Sequence, residues 1–338
     1  MNQGITKKPG TKLSFSKMIV RMALVLSILA VIAIALIVLT ASTANSLMSI
    51  PKKQMANIPS NILPSYSATS FTSADDQTIL SGWFFKTEDP ISTIIVVHDT
   101  QSNRLPFNVE MVDLIDDFLA MHFNVFLFDM RNSGESSGAI CGYGYLEWQD
   151  VLGAIKHVKK ISVTTDVILY GIGSGCSASL LAIDKLPPSM DTEVLEGYNQ
   201  KIVDLGFDAS YISGIILDSP AKNSDDYIRP FVFKKSKFAF VTQYFVPYAI
   251  RISAGESNNV NLATEISRLQ IPVCIIYGGR DTFVGAEKIG QIVEERKRLN
   301  PNTTMAKMFS GAGYVESYLI DPNGYRSTLS DFLTSYFK

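Results

Sequence analysis

Val167–Leu181 reads VILYGIGSGCSASLL. An apolar, β-favouring run breaks into Gly171, Gly173 and Gly175 and then passes into a small-residue helical pattern, which describes a sharp turn from strand to helix. The tip of that turn is Gly173.

Outward from this turn the same alternation repeats. Further apolar strands are expected at Thr93–His98, Asn124–Asp129, Asp166–Gly171, Gly214–Asp218, Val273–Gly278 and Thr303–Phe309. Helical periodicities lie between and after them at Pro106–Met121, Leu146–Lys160, Ser174–Lys185, Gly285–Leu299 and about 324–337. Strands separated by helices of this length predict βαβ crossovers, hence a mostly parallel, twisted sheet with helices on both faces. Two alternating stretches, SYSATSF and QTILSGWFF, flank a polar turn and read as a leading β-hairpin. In such a sheet, function sits at the carboxyl ends of the strands.

The chain has 338 residues and a formal charge of −2. That balance gives no basic field for nucleic acid. Three widely spaced cysteines, Cys141, Cys176 and Cys274, form neither a disulfide framework nor a zinc pattern. No cofactor or metal is called for.

From Met22 to Ala41 there is no charge, a length that crosses a bilayer as a helix. Every charged residue before Asp75 is basic: Lys7, Lys8, Lys12, Lys17 and Arg21 precede the apolar segment, and Lys52 and Lys53 follow it. The excess on the amino-terminal side predicts a cytoplasmic tail (1–21), a single-pass anchor (22–41) and an extracytoplasmic remainder. The alternative is a secreted protein cut near Ser42-Thr43-Ala44, although a signal peptide's apolar region is shorter. Residues 42–65 read as a linker standing a domain at 66–338 off the membrane, or as an irregular lead-in packed on it. Two segments exceed a connecting role. Residues 186–210 read as a helical excursion, an insert or a lid. Residues 223–253, rich in aromatics interleaved with Lys234, Lys235 and Lys237, read as packing over the sheet, as a lid over an apolar pocket or as a surface touching lipid headgroups.

In the order of its motifs, the chain from 66 to 338 resembles the α/β-hydrolase superfamily, in particular its serine-aminopeptidase-like and lipase-like bacterial branch. The resemblance rests on four places: Val96-Val97-His98-Asp99, where the family usually has His-Gly; the loop Asp129–Gly138 with Tyr145–Asp150 beyond it; the turn Tyr170–Ser177; and Ile276–Asp281 followed by Gly311-Ala-Gly-Tyr314. Together they imply the α/β-hydrolase fold. The family's chemistry needs a serine at the centre of G-x-S-x-G, then an acid, then a histidine. Position by position, the serine place holds Gly173, the acid place Asp281 and the histidine place Tyr314.

With two of three members substituted, the resemblance implies a protein without conventional serine-hydrolase activity that binds a small acyl or peptide ligand or a protein partner. The Ser174 N–H, with an N–H from Asp99-Thr100 beside His98, would still point at a carbonyl or carboxylate oxygen as an oxyanion hole does. Asp281 needs a new partner, and the Tyr314 hydroxyl is the candidate. The alternative is an active esterase, lipase or peptidase in which Ser174 is the nucleophile and His98 its base. A third reading is an interaction module whose pocket has collapsed. Arg131–Gly138 lacks the lysine and spacing of a phosphate-binding loop, and the glycines at 171, 173 and 175 lack the final glycine of a dinucleotide fingerprint.

Overall fold

The computed structural model describes residues 15–338 apart from 57 and 60. Lys7, Lys8 and Lys12 lie outside the described residues. Strands are β1 (Tyr66–Thr72), β2 (Ile79–Phe85), β3 (Ser92–Val97), β4 (Phe123–Phe128), β5 (Val167–Ile172), β6 (Ile212–Asp218), β7 (Val273–Gly278) and β8 (Thr304–Phe309). The six core strands fall within two residues of expectation.

The helices are α1 (Phe15–Met48), α2 (Met111–Ala120), α3 (Trp148–Ile161), α4 (Ser174–Lys185), α5 (Thr192–Leu195), α6 (Gln200–Val203), α7 (Asp225–Lys235), α8 (Ala239–Ser253), α9 (Leu262–Arg268), α10 (Ala286–Leu299), α11 (Ser317–Ile320) and α12 (Pro322–Phe337).

One sheet orders the strands β1-β2-β4-β3-β5-β6-β7-β8. The β1–β2 and β2–β4 pairs are antiparallel and the rest are parallel. The central strands are continuous apolar runs because both of their faces are covered. In β3, Ile94 and Val96 point into the layer that holds Leu114 and Phe118 of α2 and Phe332 of α12. Ile95 and Val97 point into the opposite layer, with Val151 and Ile155 of α3, Leu181 of α4 and Ile289 of α10. The register brings Val97 beside Gly171 and Ile172 beside Asp218, so the carboxyl ends of β3, β5, β6 and β7 meet at one edge.

Two boundaries need correction. The apolar helix does not stop at Ala41 but runs on to Met48, and Thr40, Thr43, Ala44, Leu47 and Met48 form a buried stripe along it. The spacing 40, 43, 44, 47, 48 is one helical face, so the start of the expected linker is part of the core. The chain after the helix is also tied down: Asn132 Nδ2 donates to Ile50 O at 3.0 Å, and Lys52 Nζ to Ser136 O at 2.5 Å. Second, 186–210 is two single turns, α5 and α6, held by Lys159 Nζ to Gly206 O at 2.9 Å and a Lys201–Asp76 pair at 2.8 Å. That places it near the end of α3, where β5 starts, and not as a lid over the strands' carboxyl ends.

The loop after β4 is structural. Arg104 (1% exposed) donates its N–H to Asp129 Oδ1 at 2.7 Å, and its Nε and Nη2 to Oδ2 at 3.0 and 2.5 Å. Burial alone would raise the Asp129 carboxyl, but the hydrogen bonds and charge of Arg104 overcome it and hold Asp129 below its usual value. Arg131 and Asp150 form a second buried pair at 2.7 Å. At the end of β6, Asp218 accepts from Tyr325 Oη at 2.8 Å and Ser219 Oγ at 2.9 Å, and Tyr325 Oη also meets Tyr170 Oη. This cluster pins α12 under the sheet.

Two predictions follow from these buried groups, both read on the full chain in detergent. Asp129→Ala strands the Arg104 guanidinium and costs about 3–5 kcal/mol in chemical denaturation; adding Arg104→Met returns part of that loss, and an additive double mutant would disprove the pairing. Burial raises Asp218 to about 6, so the folded state holds a proton that the unfolded state releases from about pH 4 upward. The stability it contributes is therefore present below about pH 4 and lost as pH rises through 6, on the order of 1–3 kcal/mol. Asp218→Asn makes the fall of Tm between these values shallower, and an unchanged slope would refute the assignment.

Candidate functional site

The turn at Gly173 takes φ 56° and ψ −126°, a conformation that glycine reaches without a Cβ penalty. Its N–H donates to Asp218 O and its carbonyl accepts from Cys176 N, both at 2.9 Å, which fix the turn between β6 and α4. Gly175 lets α4 approach β3, because a Cβ there would run into the carbonyls of Val97 and His98. The elbow is therefore intact, with no side chain at its tip.

What occupies the tip is Asp99, from the end of β3. Its Oδ1 accepts from Ser174 N, Ser174 Oγ and Thr100 N, each at 2.8 Å. Its Oδ2 accepts from Tyr314 Oη at 3.0 Å. The two N–H groups expected to form an oxyanion hole do converge on a carboxylate oxygen, and that oxygen belongs to the protein itself. A Cβ added at Gly173 would overlap the Tyr314 hydroxyl and the Asp99 carboxyl. Burial raises the Asp99 pKa even though all four hydrogen bonds pull it down.

Ser174 and His98 make no hydrogen bond to each other. The Ser174 hydroxyl donates to Asp99 and accepts from Thr100 N at 2.8 Å, and it also meets Thr100 Oγ1 at 2.7 Å. One donor and two lone pairs are then all in use. His98 is fully buried, with Nδ1 donating to Asp99 O at 2.7 Å and Nε2 accepting from Met130 N at 2.9 Å. Desolvation lowers its pKa, so the imidazole is a neutral brace between two loops. Cys176 is buried against Gly171 O and Asp218 O, and burial raises its thiol far above the usual range.

The expected Tyr314–Asp281 hydrogen bond is not formed. Asp281 Oδ1 accepts from the N–H groups of Phe283 and Val284 at 2.7 and 2.9 Å, while its Oδ2 is buried without a partner. Burial raises its pKa. The Tyr314 ring stacks on Phe283 with centroids 4.3 Å apart, and its hydroxyl donates to Asp99 instead. Phe283, which the sequence did not single out, packs here with two aromatics of the 223–253 segment. Tyr227 of α7 lies 6.3 Å from the Tyr314 ring, and Phe231 packs edge-on against Phe283 at 5.3 Å. Two clefts lie away from this place, one beside β1 and α3 and another between α9 and α10. Asp99 itself was visible, since the resembling family usually has a glycine there, but its reach to Gly173 is a tertiary fact.

No family model matches the chain. The uncharacterized protein YfhR of Escherichia coli O157:H7 is 24% identical over 235 residues, 67% of this chain and 68% of that one. Among solved structures, an esterase of Pyrococcus furiosus aligns with TM-score 0.63 at 19% identity over 86% of this chain and 99% of that one. An esterase of Exiguobacterium antarcticum aligns with TM-score 0.52 at 14% identity, over 79% and 100%. The alpha/beta hydrolase GrgF of a Penicillium species gives 0.53 at 14%, over 81% and 99%. The strand order, the elbow at Gly173 and these likenesses agree: the chain has the α/β-hydrolase fold.

Proposed function

We propose that this is a membrane-anchored protein of the α/β-hydrolase fold that does not carry out conventional serine hydrolysis and acts by binding, with a protein partner favoured over a small acyl or peptide ligand. The observation that carries the reading is Asp99 in the place of nucleophile and oxyanion at once. An acyl ligand would have to displace a carboxylate already holding four donors. Gly173, Tyr314 and Asp99 act as one set: the first vacates space and the other two fill it. Asp281 keeps a free Oδ2 where a triad histidine would have needed an acceptor.

Anchoring rests on α1. From Met22 to Ala41 the helix carries no charge over about 30 Å, and its large apolar side chains from Met22 to Val38 turn outward, whereas Ala44, Leu47 and Met48 belong to the core. Cutting near Ser42–Ala44 would remove part of that packing, which favours a retained helix over a cleaved signal. The basic residues before the helix favour a cytoplasmic amino terminus and an extracytoplasmic domain.

The full chain in detergent is expected to resist a serine-directed fluorophosphonate and to leave short and long p-nitrophenyl esters intact. Gly173→Ser with Tyr314→His stays silent, because the new serine meets Asp99. Adding Asp99→Gly clears the space and gives measurable ester hydrolysis. Turnover or labelling by the unaltered chain that disappears in Ser174→Ala would overturn the proposal in favour of an active enzyme.

A further inference from the structure

α8 is apolar on both sides. Its inner face, with Thr242, Val246, Pro247 and Ile250, is buried. Its outer face carries Phe240 (67% exposed), Tyr244 (68%), Phe245, Tyr248 and Ile252. These residues fall within one arc of the helix, and its one charged side chain, Arg251, turns inward to Asp225. A water-facing arc is ordinarily charged or polar. A contiguous apolar patch of this kind marks a contact surface. Phe233 and Phe238 carry it around the end of α7, interleaved with exposed Lys234, Lys235 and Lys237.

The neighbours of the patch say what covers it. α8 packs on α1, and Lys235 Nζ donates to Ser46 O at 3.1 Å. The outer surface of α1, with Val38 62% exposed, therefore continues into the outer surface of α8. Exposed aromatics with flanking lysines are the composition of a helix lying in a bilayer interface: rings sit at headgroup level while lysine stems reach to the phosphates.

We propose that the α7–α8 hairpin is a second membrane contact, seated in the headgroup region of the leaflet that α1 enters. This rests on the anchored reading of α1, and its test separates the two. The full chain is placed one copy per nanodisc of phosphatidylcholine and phosphatidylglycerol. Single cysteines replace Phe240, Tyr244 or Tyr248, with Val31→Cys in α1 as the membrane reference and Val163→Cys, 84% exposed, as the water reference. The three native cysteines are buried, so a thiol-reactive fluorophore goes to the new site.

Lipid carrying a nitroxide near the headgroup is expected to quench the labels at 240, 244 and 248 strongly and the label at 163 hardly at all. In the unaltered chain, a lipid with a photoreactive headgroup is expected to crosslink within 233–252, which covers the case of a variant that does not fold. If nitroxide lipid placed deeper quenches 31 while 240, 244 and 248 behave like 163, the anchor stands and the second contact is refuted. A label at 31 that no lipid quenches removes the anchor itself. Labels on α8 that are shielded from water but not quenched by lipid would show a protein covering, and would also overturn the proposal.

Discussion

Three donors close on one oxygen of Asp99 and a fourth reaches the other, from the end of β3, the start of α4 and the loop after β8. A single side chain thus ties together three segments that converge at the carboxyl edge of the sheet. The Ser174 N–H spends its one hydrogen on Asp99, and the Thr100 N–H divides its one hydrogen between Asp99 Oδ1 and Ser174 Oγ. Both N–H groups therefore have an acceptor within the protein. Burial of a carboxylate is costly without such partners, so removing any one of the donors loosens the others.

The electrostatics of this edge point the same way. Asp99, Asp218 and Asp281 are all raised by burial, and among the described residues none of the three is in a salt bridge. A site that stabilises a developing oxyanion presents positive potential to it. Here the surroundings offer uncompensated carboxyls, each held by hydrogen bonds from hydroxyls or backbone. The aromatic rings of Tyr227, Phe231, Phe283 and Tyr314 pack beside the same place, with Asp99, Phe283 and Tyr314 half-buried.

Most of the fold was legible because buried parallel strands are written as short unbroken apolar runs, as in Ile94–Val97 and Ile168–Tyr170, whose alternate residues face two cores. That Gly173 and Tyr314 lie at one end of the sheet could be read from motif order alone. The partner of Tyr314 could not, because its direction depends on stacking with Phe283, a residue 31 positions away in the chain. Nor could the end of α1 be read: an apolar helix that leaves a bilayer and one that enters a core show the same composition. Thr40 and Thr43 even argue for solvent until their burial is seen. The excursion at 186–210 has the length and pattern of a cover, but which end of the sheet it covers is set by Lys159 and Asp76, which the sequence does not place beside it.

The stripe from Thr40 to Met48 also limits how the domain can move. A flexible stalk would let the globular part sweep a hemisphere and meet targets at a range of heights. With its last turns packed against α8 and with Tyr143 Oη donating to Leu47 O at 3.0 Å, the helix and the domain turn as one body. In the anchored form, free motion reduces to rotation about the bilayer normal and drift in its plane. Encounter with any other membrane component then becomes a two-dimensional search, at a fixed height and with one constant side facing outward.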